Sequence, residues 1–280
     1  MFFDSHAHLN NEMSDEARAA MVRAIEDSEL DYVMDIGFDL PSSKLAVDHA
    51  AKYPWCYAAV GCHPHDTDSM DDMQLALIKG LAKKKKVMAI GEIGLDFHYD
   101  HSPRDVQRDV FRRQLRLAHE TGLPVALHIR EAHDEAFQIL QEEGLPKAGV
   151  LLHCFDLDWE TLEPWVNAGC YVAFGGALTF KKADYTRDAA VRAPKSLLLT
   201  ETDSPYMTPE PMRGMVCEPF HTLFTADCLA EARVSASEGA AAGDVSAAKA
   251  QVLAQLHDNA LALLDRQPTS WQLERAAQGA

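Results

Sequence analysis

The 280-residue sequence holds no apolar run approaching the roughly 18 residues that a membrane-spanning helix needs. Its opening, MFFDSHAHLN, offers neither the basic stretch nor the apolar core of a secretory signal, so a chain retained in the cytoplasm is expected. Cysteine is sparse and unpatterned. Cys56, Cys62, Cys154, Cys170, Cys217 and Cys228 form no C-x-x-C pair and no short staple spacing. A chain of this length does not need disulfides to supplement its core, so reduced thiols are expected. Basic residues are outnumbered 43 to 26, for a net charge of −17. That balance excludes a protein that coats nucleic acid nonspecifically, because such binding comes from Lys and Arg displacing condensed counterions. It leaves room for a nuclease, since metal ions held by clustered carboxylates and histidines supply positive charge locally. Linkers, repeats and internal low-complexity stretches are also missing. One domain over 1–265 with a C-terminal tail at 266–280 is expected, in a chain expected to be monomeric.

What is present is enough apolar residue, 47%, to build a large core. Short apolar or β-branched runs recur at Phe2 to His6, Tyr32 to Ile36, Cys56 to Cys62, Val87 to Glu92, Pro124 to Ile129, Val150 to His153, Cys170 to Phe174 and Ser196 to Thr202. Most are nearly continuous in hydrophobicity, as parallel strands buried on both faces are. Helical patterns lie between them. Ser14 with Asp15 and Glu16 opens the first, and Ser102-Pro103 offers an N-cap and a first-turn proline for a stripe of Val106, Val110, Phe111, Leu115 and Ala118 ending at Gly122. A further stripe of Ala132, Ala136, Phe137, Ile139 and Leu140 ends at Gly144. Eight alternations of strand and helix predict an α/β fold of the (β/α)8 TIM-barrel type.

Barrel enzymes place their chemistry at the C-terminal ends of the strands. His6 and His8, His63, Glu92, His128, His153 and Asp203 all fall at such ends. Residues two apart on a strand point to the same side, so His6 and His8 are able to face inward and share one ion. H-x-H alone is a weak signal, and Glu92, His128 or His153 taken singly reads as an ordinary buried polar residue. Their coincidence at six strand ends predicts a metal site. A mixed imidazole and carboxylate set suits Zn, Mn or Ni, and a carboxylate between two ions also suits Mg.

The ordered segments D-S-H-A-H-L-N at the start, G-C-H-P-H at 61 to 65, G-E-I-G-L-D-F at 91 to 97, L-H-I-R-E-A at 127 to 132, H-C-F at 153 to 155 and E-T-D-S-P-Y at 201 to 206 resemble the signatures of the TatD family of metal-dependent deoxyribonucleases. The resemblance runs from residue 4 to about Pro211, with a weaker echo at Asn259-Ala260. It implies a two-metal barrel of the amidohydrolase type, in which His6, His8 and Asp203 hold one divalent ion, His128 and His153 the other, and Glu92 bridges them. His63 would lie beside the pair, near a substrate phosphate. The implied activity is cleavage of phosphodiester bonds in DNA, trimming single strands from the 3′ end.

Within that reading Asp203 is the candidate to orient or deprotonate the attacking water, and Glu92 shares the catalytic role. Glu201, two residues before Asp203, is expected to stand behind the ligands or in a buried strand-end salt bridge. Arg130 would hold a phosphate oxygen or pair with Glu131 or another barrel acid. The chain departs from the family after strand eight, where Arg213-Gly214 is followed by Met215-Val216-Cys217-Glu218-Pro219 instead of a basic pair and an asparagine. Weak DNA binding with Arg213 as the main loop cation is expected. Lys83 to Lys86, just before strand four, belongs to the far face and reads as a solvated helix end. Cys62 and Cys154 should turn toward the helices, and His98 and His101 read as solvated loop residues. Two rivals stand beside the nuclease reading: hydrolysis of another ester or amide, such as a D-aminoacyl-tRNA, and a noncatalytic scaffold stabilised by metal.

Overall fold

The computed structural model of the chain describes residues 2–237 and 245–264. Eight strands are present: β1 (Phe2–Ala7), β2 (Leu30–Ile36), β3 (Cys56–Val60), β4 (Val87–Asp96), β5 (Val125–Arg130), β6 (Val150–Leu152), β7 (Tyr171–Phe174) and β8 (Leu198–Thr200). They form one sheet in sequential order, and every ladder is parallel. Helices α1 (Asp15–Glu26), α2 (Leu40–Lys52), α3 (Asp72–Leu81), α4 (Arg104–Thr121), α5 (His133–Glu143), α6 (Trp159–Asn167), α7 (Asp184–Arg192) and α8 (Thr222–Ala236) follow the strands in turn, and α9 (Val245–Leu264) comes last. This is the expected (β/α)8 barrel. The tail expected at 266–280 lies outside the described residues.

The barrel closes between β8 and β1 without a full ladder. A single parallel bridge joins Ala7 to Ser204, and the Asp203 amide donates to the His6 carbonyl at 2.9 Å. Side chains complete the seam. Asp4, fully buried, accepts from the Thr202 amide at 2.9 Å and the Thr202 hydroxyl at 2.6 Å, and Ser5 Oγ donates to the Thr200 carbonyl. Two apolar cores follow from strand alternation. On β2, Val33 joins the cluster between strands and helices, whereas Tyr32, Met34 and Ile36 join a second cluster with Phe3, Tyr57 and Leu199. Leu263 and Leu264 of α9 pack into that second cluster.

Local chemistry sets the helix ends. Ser14 Oγ accepts from the Ala17 amide, and Asp39 with Ser42 forms a reciprocal capping box at the start of α2. Gly122 takes the left-handed conformation, φ 69°, that ends α4. The start of α4 differs from the sequence reading. Pro103, not Ser102, occupies the cap position, and Ser102 is buried with its hydroxyl donating to the His65 carbonyl and accepting from the Asp68 amide. Ser102 thus ties the loop after β3 to the loop after β4.

The lysine run also differs in part. Lys83, Lys84 and Lys85 are exposed, but Lys86 is buried. Its ammonium donates to the carbonyls of Ala50, Tyr53 and Pro54 at 2.7, 2.6 and 3.2 Å. The cation complements a helix C-terminus as expected, but the helix is α2 and the side chain is part of the interior.

Candidate metal centre

The C-terminal ends of the strands open into a cavity of about 550 Å³. β4 runs four residues past Glu92 to Asp96, so two carboxylates of one strand enter the same mouth. Gly94 makes that extension possible. A Cβ built on it would lie 1.9 Å from the His128 carbonyl oxygen, so β4 approaches β5 at the residue that carries a candidate ligand.

Glu92 sits at the centre with its two oxygens divided. Oε2 lies 3.4 Å from His6 Nε2 and 3.5 Å from His8 Nε2. Oε1 lies 3.0 Å from His128 Nδ1 and 2.9 Å from His153 Nε2. Asp203 joins the first group, its Oδ1 3.4 Å from His8 Nε2 and 3.9 Å from His6 Nε2. The six residues expected to bind metal therefore come together as two groups, His6–His8–Asp203 and Glu92–His128–His153, each with ligand atoms within 4.8 Å of one another.

The donor chemistry fits divalent ions. His6 is fully buried, and neither of its ring nitrogens has a hydrogen-bond partner. Leaving a buried polar atom unmatched costs about 1–3 kcal/mol, a cost that coordination removes. Burial, assisted by the neighbouring His153, holds the His6 imidazole below its ordinary pKa and so keeps its lone pair available. Burial opposes the charged form of Glu92 as well, but His153, His6 and His63 outweigh it and hold the carboxyl well below its usual range. His8 shows the converse balance: against burial, the Asp203 and Glu92 carboxylates raise it to about 9.

The remaining ring nitrogens are oriented from behind. His8 Nδ1 lies 2.9 Å from the Ile36 carbonyl, His153 Nδ1 lies 3.2 Å from Glu201 Oε1, and His128 Nε2 lies 3.1 Å from Asp96 Oδ2. Such contacts fix the tautomer and direction of a ligating imidazole. Glu201 is fully buried and also accepts from the Cys154 amide at 2.6 Å, so its partners are an imidazole and a backbone amide. His65 joins Asp96 at 2.9 Å. Neither Asp96 nor His65 was singled out from sequence, although Asp96 lies four residues past Glu92 on the same strand and His65 completes the G-C-H-P-H segment.

A longer chain of bonds supports His8. The Ile36 carbonyl also accepts from Asn10 Nδ2 at 2.8 Å, and Asn10 Nδ2 donates to Asp35 Oδ1 at 2.7 Å. Asp35 Oδ2 meets His49 Nδ1 at 2.7 Å, and His49 Nε2 meets Arg18 Nη1 at 3.2 Å. Arginine only donates, so His49 accepts at Nε2 and carries its proton on Nδ1 toward Asp35. Arg18 also donates to the Leu9 carbonyl at 2.6 Å, which holds the loop after β1.

His63 is positioned differently from the six candidate ligands. Its Nδ1 accepts from the His65 amide at 3.1 Å, which leaves the proton on Nε2, and Nε2 points toward Glu92 Oε1 at 3.7 Å. Burial and the adjacent His128 keep the ring neutral. Arg130 is exposed on the rim with its guanidinium 4.8 Å above the Tyr99 ring. Arg213 is exposed as well, but it turns from the cavity, 4.3 Å over Phe180 and bonded to the Thr208 carbonyl. Met215 and Val216 are solvent-exposed. Cys62 packs in the outer core as expected, whereas Cys154 is only half-buried. His98 is exposed and pairs with Glu131 at 2.6 Å, and the ring of exposed His101 lies parallel to Tyr99.

Residues 3–263 match the family described as TatD related DNase. The uncharacterized metal-dependent hydrolase YabD of Bacillus subtilis is 39% identical over 231 residues, covering 82% of this chain and 91% of that protein. The 3'-5' ssDNA/RNA exonuclease TatD of Cronobacter sakazakii is 33% identical over 214 residues, covering 74% of this chain and 79% of that protein. Among solved structures, YjjV of Escherichia coli, a TatD homolog, superposes with a TM-score of 0.84 at 26% identity, covering 94% of this chain and 98% of that one. With a parallel barrel and a divided Glu92 between two ligand groups, the chain belongs to the TatD family of metal-dependent hydrolases.

Proposed function

We propose that this hydrolase cleaves phosphodiester bonds in DNA, removing nucleotides from single-stranded 3′ ends with two divalent ions, Mg, Mn or Zn. The observation that carries the reading is Glu92, whose two oxygens face separate imidazole groups at 2.9 to 3.5 Å. The exonuclease name of the Cronobacter relative supports the choice of substrate. His6, His8, Asp203, Glu92, His128 and His153 would hold the ions, which would lower the pKa of a water toward about 7 and offset negative charge on phosphoryl oxygens. Asp203 would orient the attacking water and take its proton. His63, fixed as the Nε2–H tautomer, donates to a phosphoryl oxygen, and Arg130 meets the next phosphate from the rim. Glu201 and Asp96 keep the imidazoles of His153 and His128 in register.

DNA binding is weak in this proposal. The chain carries −17 charges, and Arg213 is spent on Phe180 and Thr208 instead of the cavity. The cysteines among the described residues are free, which supports a reducing, cytoplasmic setting. The deciding experiment incubates metal-loaded protein with end-labelled single-stranded DNA, a chromogenic phosphodiester and a D-aminoacyl-tRNA, beside Glu92→Ala and Asp203→Ala. Terminal mononucleotide release, lost by orders of magnitude in both folded variants, is the expected result. Equal cutting of circular and linear strands, full activity after metal stripping, or turnover of the aminoacyl ester alone would overturn it.

A further inference from the structure

A second concavity adjoins the metal cavity. It measures about 610 Å³ and lies between the loop after β1 and the start of α2, with Asn10, Glu12, Asp39 and Leu45 on its walls. Asn11, Phe38 and Tyr206 line both spaces, so the two are continuous. We propose that this groove is a nucleobase subsite, in which the base of the nucleotide whose phosphate meets the metal centre stacks on Tyr206. The inference rests on the phosphodiesterase reading above and adds to it the part of the substrate that the metal centre leaves unbound.

Two independent features point to a base. The first is the pair of aromatic walls. Tyr206 is 57% exposed, an unusual state for a ring beside a buried site, and lies 6.4 Å from His8, edge to face. Its amide donates to the Asp203 carbonyl at 2.9 Å, so the backbone of a metal-ligand residue sets its position. Phe38, half-buried, meets the same His8 ring at 5.8 Å. Both aromatics therefore contact one metal-binding side chain, and a flat group between them stands next to the reacting phosphate.

The second feature is charge. Among the described residues the groove is lined by Glu12 and Asp39 and by no lysine or arginine. A phosphate chain is repelled there, while the opposite rim carries Arg130 beside Tyr99. An uncharged aromatic heterocycle suits the acidic side, and the phosphate chain suits the Arg130 side.

Calorimetric titration of the Mn²⁺-loaded protein with 2′-deoxyadenosine 5′-monophosphate and with 2-deoxyribose 5-phosphate isolates the base, because the two ligands share the sugar phosphate. Stacking on an aromatic side chain predicts about tenfold tighter binding of the nucleotide. Tyr206→Ala should erase that ratio, and Tyr206→Phe should keep it. Equal binding of the two ligands to the wild-type protein, or equal weakening of both by Tyr206→Ala, would overturn the proposal. Equal tightening of both by Glu12→Gln would give the groove to phosphate and overturn it as well. Oligonucleotide cleavage judges the parent reading separately. DNA trimming without a base preference removes the subsite alone, and a base preference without DNA trimming removes the nuclease assignment alone.

Discussion

Replacing His49 by phenylalanine keeps a ring of similar size in α2 and deletes two hydrogen bonds that lie well behind the metal centre. Asp35 is fully buried and loses its 2.7 Å partner, and Arg18 loses an acceptor. Arg18 is only half-buried and recovers water, so the cost concentrates on the carboxylate. A hydrogen bond to a charged group contributes about 1.5–3 kcal/mol, which sets the expected loss of stability at roughly 2–3 kcal/mol. For a chain of this size that lowers Tm by roughly 5–10 °C. The damage also travels forward, because Asp35 positions Asn10, and Asn10 shares the Ile36 carbonyl with His8. Mn²⁺ affinity should fall about tenfold, the lower end of what loss of an orienting partner costs. Urea unfolding measures the first effect and calorimetry the second. Asp35→Asn in the same chain removes the stranded charge, so the double variant should lose at least about 1 kcal/mol less than the sum of the singles. Additive losses, or His49→Phe within about 0.5 kcal/mol of the parent, would refute the relay from Arg18 to His8.

His8 is held near 9 in the metal-free protein, above its ordinary 6.5, so below that pH an ion must displace a proton. Apparent Mn²⁺ affinity should rise with pH up to about 9 and level off beyond it, and buffer-dependent calorimetric enthalpies at pH 7.5 should show proton release; pH-independent affinity would contradict the assignment. The same raised pKa stabilises the metal-free fold fully below about 6.5, and that contribution is lost as pH rises through 9. Lys83, Lys84 and Lys85 changed together to glutamine should leave the Michaelis constant for DNA within about twofold, because charges on the far face are screened beyond roughly 10 Å. Lys86→Gln should instead lower the melting temperature, since its buried side chain serves three backbone carbonyls; a DNA-binding defect in the triple variant would contradict the assignment of these lysines away from the substrate.

The fold was legible because buried parallel strands are nearly unbroken apolar runs, and the clustering of the candidate metal ligands was legible because they sit where those runs end. What escaped detection had physical reasons. Gly91 and Gly94 interrupt the apolar run of β4, so the strand reads as ending at Glu92, and Asp96 falls into an apparent loop. His65 sits on a 3-10 turn, outside the strand periodicity that exposed its neighbours. The Arg18–His49–Asp35 relay joins three elements through side chains far apart in sequence, and no local pattern announces such a meeting. Lys86 looks like the fourth member of a solvated run until the turn after α2 is folded over it. Arg213 was expected over the cavity from its place after β8, but a nearby Phe180 ring offers its guanidinium a closer surface.

The unlaced seam between β8 and β1 has a thermodynamic meaning. Asp4 and Thr202, which bond across it, stand 198 residues apart in the sequence. His6 and His8 lie on one side of that seam and Asp203 on the other, so an ion held by the three would cross-link nearly the whole length of the barrel. Cross-linking a loop of that size in the chain-entropy view is worth on the order of 5 kcal/mol. Loading the reaction centre and completing the circle of strands would then be one event, and a chelator would act on this enzyme as a denaturant that begins where the last strand meets the first.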